Sequence, residues 1–242
     1  MKVVSVVNYK GGVGKTTLTA NLGAGLAARG NRVLLIDLDP QASLTYSFFT
    51  PHEFKERLAS ERTIKKWYDS PSRGRAVTKL ADLIVTPDRV NRQINHGGRL
   101  DMILSHEDLV TVDTLLADAI DKRTREVPLS RYVKVFRRLK EGLSHTAFSG
   151  YDFVLVDCPP NLNMMTKNAV VASDFMVIPC RPDYLSTNGI DHLGSAIHGF
   201  IRTFNHQAQI FHQPREAVVF TMVTYKTGSP IDAQGLAIHR VG

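Results

Sequence analysis

Short apolar runs recur along the chain and predict the strands of one buried sheet. They occupy residues 2–7, 33–38, 100–104, 153–156, 175–178 and 218–223. Several of these runs are continuous rather than alternating, which is typical of parallel strands that helices cover on both faces. The pattern therefore predicts an α/β fold with three layers, in which a doubly wound and mostly parallel sheet lies between helices.

A helix is predicted between the first two strands. Residues 16–29 carry Leu18, Leu22 and Leu26 on one apolar face, and Gly30 follows as a C-terminal cap. Right-handed crossover geometry makes the two flanking strands parallel, with their C-terminal ends at the same edge of the sheet.

Two stretches depart from the alternation of predicted strands and helices, and both are rich in lysine and arginine. Residues 50–99 are punctuated by proline and glycine, and within them 69–75 predict a mobile loop. Residues 122–140 predict an exposed amphipathic helix. Its apolar residues at helical spacing are Tyr132, Val135, Phe136 and Leu139.

Composition narrows the class of protein. A chain of 242 residues, 43% of them hydrophobic, can bury one substantial core, so we expect a single domain over 1–242. Cys158 and Cys180 are too few for a disulfide framework and lack zinc-site spacing, which favours a reducing cytoplasm. No apolar stretch approaches the roughly 20 residues of a membrane helix. The net charge of +7 favours a polyanionic partner, although a solvated basic face explains it equally well.

Candidate chemistry concentrates in the glycine-rich loop after the first strand. The loop residues are Lys10, Gly11, Gly12, Val13, Gly14, Lys15, Thr16 and Thr17. A glycine loop between a strand and a helix presents backbone N–H groups and the positive end of the helix dipole to phosphate. We expect Lys15 to reach the β- and γ-phosphates of ATP, and the Thr16 hydroxyl to ligate Mg²⁺. Lys10 departs from the common pattern, which has glycine where Tyr9 stands.

Carboxylates directly follow two of the predicted strands. Asp37 and Asp39 end the second strand, and Asp157 ends the fourth. Burial of an unpaired carboxylate is costly, and magnesium with its water shell would supply the missing partners. These residues therefore predict a magnesium-dependent hydrolytic site at the edge of the sheet.

Together these motifs resemble the ParA-type partition ATPases. That family belongs to the P-loop NTPases with a deviant Walker A motif, as do MinD-type cell-division regulators and nitrogenase iron protein. The resemblance rests on the loop with Lys10, on the Asp-Leu-Asp-Pro-Gln run from Asp37, and on the Asp-Cys-Pro-Pro turn from Asp157. It covers most of the chain except 50–99 and 122–140.

The resemblance implies an ATP-dependent homodimer in which Lys10 crosses the interface to touch the partner subunit's phosphates. Asp39 would position the attacking water, while Asp37 and Asp157 would organise magnesium through its waters. Residues 157–163 would form a switch that the γ-phosphate orders. The adenine would lie near Thr221 and Met222.

The resemblance further implies slow ATP hydrolysis, stimulated by DNA and by a centromere-binding or cargo adaptor protein. The dimer would bind nonspecific DNA on the nucleoid and act in plasmid or chromosome partition in the cytoplasm. Arg202 and Lys226 are the candidate DNA contacts, and an ordinary surface cation is the alternative reading of each.

Other functions remain open on the sequence alone. A related ATPase could position another cargo or regulate transcription, and a MinD-like regulator would bind the membrane. Residues 238–242 lack the amphipathic pattern that a membrane-binding helix requires. An iron–sulfur reductase would need cysteines at a dimer axis, whereas both cysteines follow predicted strands. Partition ATPases usually continue beyond the position of Gly242, so we expect a truncated or divergent C-terminus.

Overall fold

The computed structural model describes residues 1–70, 78–121 and 128–239. The strands are β1 (Lys2–Val6), β2 (Arg32–Asp37), β3 (Arg99–Ile103), β4 (Phe153–Asp157), β5 (Phe175–Cys180), β6 (Arg215–Phe220), β7 (Tyr225–Lys226) and β8 (Ser229–Pro230). The helices are α1 (Lys15–Ala28), α2 (Ser43–Phe48), α3 (Pro51–Arg57), α4 (Ile64–Asp69), α5 (Asp88–Asn91), α6 (Leu109–Asp118), α7 (Leu129–Leu143), α8 (Met164–Ala172), α9 (Tyr184–Ala208) and α10 (Asp232–His239). Short 3₁₀ helices cover Leu80–Leu83 and Thr146–Phe148.

The first six strands form one parallel sheet in the order β3-β2-β4-β1-β5-β6. As predicted, β1 and β2 run parallel, and β4 lies between them. The register pairs Asp157 of β4 with Val6 of β1 on one side and with Asp37 of β2 on the other. The C-terminal ends of these three strands therefore meet at the edge from which the glycine loop leaves.

Helices cover both faces of the sheet, which confirms the predicted doubly wound α/β architecture. Alternate residues of a strand point to opposite faces, so Leu34 and Ile36 of β2 lie in the larger core cluster, and Val33 and Leu35 in the smaller. The larger cluster includes side chains from α4, α6, α7, α8 and α9, and the smaller one includes side chains from α1, α2 and α3. Burial on both faces explains the continuous apolar runs.

The helix after the glycine loop packs by its small residues rather than by its leucines. Its buried residues are Lys15, Thr19, Gly23 and Ala27, and the three leucines of the predicted apolar face lie half-buried beside them. A Cβ at Gly23 would lie 2.6 Å from Cδ2 of Leu35. The helix prediction is confirmed, but the face turned to the sheet is the one whose small residues allow this close approach.

Gly30 ends α1 as predicted. Its φ is +90°, a left-handed conformation that glycine adopts without steric cost. Its N–H donates to the carbonyl of Ala27 at 3.0 Å, and that of Asn31 donates to the carbonyl of Leu26 at 3.2 Å. This pair of bonds is a Schellman motif, which returns the chain toward β2.

The last strand of the sheet begins earlier than its apolar run predicted. β6 covers Arg215–Phe220 rather than 218–223. An edge strand has one hydrogen-bonded neighbour and exposes side chains. The polar residues Arg215 and Glu216 can therefore lie in β6 without the desolvation cost of burial. The strand stops before Met222, whose φ of +56° is incompatible with extended backbone.

The described part of 50–99 packs against the β3 edge of the sheet. The N–H of Ile64 donates to the carbonyl of Leu104 at 2.8 Å, and Val85 exchanges two backbone hydrogen bonds with Met102. Ile64 and Tyr68 of α4 lie in the larger core. The segment therefore covers a sheet edge that would otherwise be open.

The amphipathic helix predicted in 122–140 is confirmed as α7. It buries Phe136, Leu139 and Leu143, while Tyr132 and Val135 pack beside them. The start of this basic segment, 122–127, and most of the predicted mobile loop at 69–75 lie outside the described residues. Within the described ranges, no helix combines the length and apolarity needed to cross a membrane.

Candidate nucleotide-binding site

The glycine loop has the backbone of a phosphate cradle. Gly12 and Gly14 have φ of +71° and +86°, and a Cβ at Gly11 or Gly12 would meet no heavy atom within 4 Å. No side chain caps the N-terminus of α1, and its first turn carries no acidic residue. The first N–H groups of the helix therefore have no capping side chain, and an anion would satisfy them.

The two lysines of the loop point in different directions. Lys15 is buried, and its Nζ donates to the carbonyl of Lys10 at 3.2 Å, inside the curve of the loop. Burial lowers the pKa of Lys15, against the opposing charges of Asp157 and Asp39. The side chain of Lys10 is 39% exposed, and its Nζ lies 3.3 Å from Oδ1 of Asp183 rather than inside the loop.

The beginning of α9 holds Lys10 in that position. Its Nζ donates to Oγ of Ser186 at 2.7 Å and to Oδ1 of Asp183 at 3.3 Å. Burial raises the pKa of Asp183, but hydrogen bonds from Ser186 and from Lys10 outweigh burial and leave it below its ordinary value. The side chain of Asn8 connects the glycine loop to the end of β5. Its amide donates to the carbonyl of Pro179, and its oxygen accepts from the N–H of Lys10.

Thr16 and Asp157 form the predicted pair at the start of α1. The hydroxyl of Thr16 donates to Oδ2 of Asp157 at 2.7 Å, and the hydroxyl of Thr19 lies 3.3 Å from Oδ1. Burial raises the pKa of Asp157 to about 6, and the bond from Thr16 opposes the rise. A hydroxyl and a carboxylate thus lie together one turn from the glycine loop.

Asp37 is fully buried between β2 and α2. Its Oδ2 accepts hydrogen bonds from the N–H and the hydroxyl of Thr45, both at 2.8 Å, and its Oδ1 accepts from the N–H of Asp39 at 3.1 Å. Burial, followed by the charge of Asp157, raises the pKa of Asp37 to about 8 against the bonds from Thr45. Both oxygens are engaged within the protein, so Asp37 fixes the backbone that carries Asp39. Its predicted role in the water shell of magnesium stays a prediction.

Asp39 is half-buried at the mouth of the site. Oδ1 accepts from the N–H of Gln41 at 3.0 Å, and the backbone carbonyl accepts from Oγ of Ser105 at 2.6 Å. Within the described part of the chain, Oδ2 accepts no hydrogen bond. This oxygen is therefore available to orient a water molecule.

The two residues predicted to lie near adenine differ in their surroundings. The hydroxyl of Thr221 donates to the carbonyl of Val13 at 2.8 Å, so the chain after β6 is bonded to the glycine loop. Met222 is 56% exposed. Thr221 thus stabilises the loop through a hydrogen bond, and the exposed side chain of Met222 is accessible to a ligand.

The candidate DNA contacts lie on separate elements. Arg202 is exposed on α9 and lines a surface groove with His198 and Phe211. Lys226 is exposed in the hairpin of β7 and β8. None of the contacts among the described residues joins the two cations.

Several supporting residues were missed by the sequence analysis. Ser105 follows an apolar strand at the same edge as Asp157, and that position was the available signal. Thr45, Asn8 and Asp183 gave no such signal, since each acts on a residue that only the fold brings near it. The polar support of Lys10, for example, comes from more than 170 positions away.

The available oxygens fit magnesium with a nucleotide. Mg²⁺ prefers hydroxyl, carboxylate, phosphate and water oxygens, and it commonly takes only one or two ligands from the protein. Thr16 and Asp157 supply such oxygens beside an uncapped helix N-terminus. Among the described residues, no cluster of three or more histidine, cysteine, aspartate or glutamate side chains could hold a metal without further ligands.

Comparison with known proteins agrees with this geometry. Residues 1–210 match the AAA_31 family, described as an AAA domain. The chain is 30% identical over 226 residues to the sporulation initiation inhibitor protein Soj of Bacillus subtilis, covering 93% of this chain and 74% of Soj. It is 32% identical over 223 residues to the chromosome partitioning protein ParA of Caulobacter vibrioides, covering 92% and 70%. An uncharacterized protein of Methanocaldococcus jannaschii, MJECL24, is 32% identical over 196 residues, and the match spans 78% of this chain and 62% of that relative.

Solved structures share the fold. The ATP complex of a McdA variant from Cyanothece superposes with a TM-score of 0.73 at 19% identity, covering 100% of this chain and 78% of that one. Cobyrinic acid a,c-diamide synthase from Mycobacterium smegmatis, with an ATP analogue and magnesium, superposes with a TM-score of 0.70 at 24% identity, covering 100% and 81%. With the glycine loop, the paired carboxylates and the relatives Soj and ParA, these findings place the chain in the AAA_31 family, among the ParA-type P-loop ATPases of the ParA/MinD superfamily.

Proposed function

We propose that this protein is an ATP-dependent dimerising switch that binds nonspecific DNA and acts in plasmid or chromosome partition. The observation that carries the proposal is the divergence of the two loop lysines. One lysine inside the loop suffices to contact the phosphates of the bound nucleotide. The Nζ of Lys10 lies instead against the start of α9, and its partly exposed side chain supports a role across an interface with a second protomer.

The buried half of the site supports ATP and Mg²⁺ as its ligands. The uncapped N-terminus of α1 and the glycine N–H groups would bind the phosphates, and Lys15 would contact the β- and γ-phosphates. Thr16 would ligate the metal, and Asp157, which accepts the hydrogen bond of the Thr16 hydroxyl, would organise the metal's water shell. Bound magnesium would neutralise charge on the phosphates. The ATP complex of the McdA variant and the magnesium complex of the M. smegmatis enzyme support this assignment for the shared fold.

Hydrolysis would depend on Asp39 and Lys10. Asp39 would orient the attacking water through Oδ2, because Asp37 and Ser105 hold its backbone in place. Lys10, bound to the phosphates of the partner protomer, would stabilise the charge that develops in phosphoryl transfer. Turnover would be slow and would be accelerated by an adaptor protein and DNA, as the similarity to ParA-type ATPases implies.

The proposal of DNA binding is supported by the net positive charge of the chain and by its similarity to Soj and ParA. The net charge of +7 favours a polyanion, and Soj and ParA are similar over more than nine tenths of this chain. Exposed Arg202 and Lys226 are the proposed phosphate contacts, and a dimer would double their number. The protein would then act in the cytoplasm on the nucleoid, with a centromere-binding or cargo adaptor as its partner.

The molar mass of the protein in solution tests the switch. In an Asp39→Ala background, which should bind ATP without turning it over, we expect ATP to double the mass and ADP to leave it unchanged. Adding Lys10→Ala should abolish the ATP-dependent dimer while nucleotide affinity of the monomer survives. Analytical ultracentrifugation measures the first quantity, and titration with a fluorescent nucleotide measures the second.

The matched control is Lys55→Ala, which removes an exposed lysine of α3. This variant should dimerise like the Asp39→Ala protein. An unchanged dimer with Lys10→Ala would refute the role across the interface. Loss of nucleotide affinity in that variant would instead assign Lys10 to its own phosphate site.

A further inference from the structure

A groove of about 420 Å³ lies between α4 and α7, and none of the predicted phosphate-site residues lines it. Its apolar lining includes Trp67, Leu116 and Val135, and its cationic lining is Arg131, Lys134 and Arg138. Among the described lining residues, Glu141 is the one carboxylate. The groove thus combines an apolar floor with an excess of positive charge.

Arg138 anchors the positive charge of the groove. Its guanidinium lies 4.9 Å from the ring centroid of Trp67 and 5.0 Å from that of Tyr68. It donates to the carbonyl of Trp67 at 2.7 Å and to that of Ser70 at 3.3 Å. Burial lowers the pKa of Arg138, yet an arginine stays charged at neutral pH. The side chain is therefore a fixed, partly desolvated cation on an aromatic floor.

Arg131 and Lys134 extend this charge along the exposed side of α7. Residues 131, 134 and 138 recur at helical spacing, and at 1.5 Å per residue they span about 10 Å of the helix. Within the described part of the chain, no carboxylate oxygen lies within 4 Å of the charged nitrogens of these three residues. Among the described residues, none of the three cations is thus held in a direct ion pair.

We propose that this groove binds an acidic, extended segment of a partner protein. Alternate residues of an extended chain lie about 7 Å apart on one face, so two such residues fit within the roughly 10 Å over which the three cations are spread. Carboxylates on one face of the segment would bind the cations of α7, and aliphatic side chains on the opposite face would cover Trp67 of α4. Aromatic and arginine side chains in such a setting commonly dominate the affinity of an interface.

The shape of the groove favours a peptide over duplex DNA. A volume of about 420 Å³ holds a few side chains. A duplex would reach the exposed cations through its phosphates but would leave the apolar floor in water. An acidic peptide with aliphatic residues satisfies both parts of the lining.

Trp67 provides a direct readout, because it is the only tryptophan of the sequence. The probe is a synthetic pentapeptide that alternates glutamate and leucine and is blocked at both ends. At low ionic strength we expect a saturable change in tryptophan fluorescence, and added salt should weaken the binding. The same peptide with lysine in place of glutamate should not bind. Both peptides are compared on the unaltered protein, so this arm does not depend on the folding of any variant.

Charge reversal locates the site. The double variant Arg131→Glu, Lys134→Glu changes two exposed residues and should lower peptide affinity by about tenfold or more. The matched control, Lys55→Glu with Arg57→Glu on α3, makes the same change in net charge and should bind like the unaltered protein. Circular dichroism checks that both double variants fold.

Three results would overturn the proposal. They are the absence of a saturable signal with the acidic peptide, equal binding of the lysine peptide, and equal loss of affinity in both double variants. A duplex DNA that displaces the peptide, with DNA affinity reduced by the Arg131 and Lys134 reversals, would assign the groove to a nucleic-acid surface and would also overturn it.

Discussion

Asp37 and Asp157 lie side by side at the ends of β2 and β4, and burial gives both carboxyl groups unusual titration. The pKa rises from the ordinary 3.8 to about 8 for Asp37 and to about 6 for Asp157. Asp37 is therefore protonated more readily than Asp157. One negative charge between two strands is easier to bury than two.

This titration predicts how stability depends on pH. A carboxyl whose pKa is raised by folding binds more protons folded than unfolded, so the free energy of unfolding falls as pH rises between the two pKa values. For Asp37 the fall extends from about pH 4 to about pH 8. Asn at position 37 keeps an oxygen for Thr45 and does not ionise. We expect Asp37→Asn to lose less stability than the unaltered protein between pH 6 and pH 8, as measured by urea unfolding.

The comparison variant for this prediction is Asp118→Asn, which changes an exposed carboxyl on α6. Its unfolding free energy should follow the unaltered protein across the same pH range. Parallel profiles for Asp37→Asn and the unaltered protein would show that Asp37 is not the group that titrates.

Substitutions at Thr221 test whether the chain after β6 supports the glycine loop. Thr221→Val keeps the shape of the side chain and removes the hydroxyl that donates to Val13. The loss of one such bond costs about 1 kcal/mol, or roughly fivefold in an equilibrium constant. We expect affinity for a fluorescent ADP analogue to fall by about that factor, and Thr221→Ser to retain it. Unchanged affinity in the Thr221→Val variant would show that this hydrogen bond does not support nucleotide binding by the loop.

Among the elements, α1 shows what the sequence pattern could predict and what it could not. Its existence and its end at Gly30 followed from spacing and from the capping glycine. The inward face did not, because a leucine stripe indicates an apolar face, and not how closely a helix approaches a sheet. Contact between Gly23 and Leu35 depends on the position of β2, which the local sequence does not contain.

That close approach predicts opposite effects for two glycines of α1. Gly23→Ala places a methyl group 2.6 Å from the buried side chain of Leu35, and such overpacking costs about 1–3 kcal/mol. Gly25→Ala has only the end of the Arg29 side chain nearby, at 3.6 Å, and should gain up to about 1 kcal/mol from helix propensity. Chemical denaturation measures both. A Gly23→Ala protein as stable as Gly25→Ala would contradict the close packing.

The same distinction between local pattern and tertiary position applies to the strands and to the site. Buried parallel strands could be predicted from their apolar runs. The start of the edge strand β6 could not, because its first residues are polar. Lys15, Thr16 and Asp157 could be predicted to meet because strand ends share one edge of the sheet. The hold of Asp183 on Lys10 could not, since it comes from a helix far along the chain.

For the whole molecule, the proposed function couples the nucleotide site to two contacts with other macromolecules. Lys10 would link the site to a second protomer, and exposed cations would link the dimer to DNA. Because phosphate contacts release counterions, DNA affinity must fall steeply as salt rises. Both links predict that the nucleotide, and not the protein alone, decides whether DNA is bound.

Retention of the protein on nonspecific duplex DNA tests this central claim most directly. The measurement compares ATP, ADP and no nucleotide across a salt series, with Lys10→Ala beside the unaltered protein. The account predicts that only ATP retains the unaltered protein, that salt releases it, and that Lys10→Ala loses the effect of ATP. Equal retention in all three nucleotide states would contradict it.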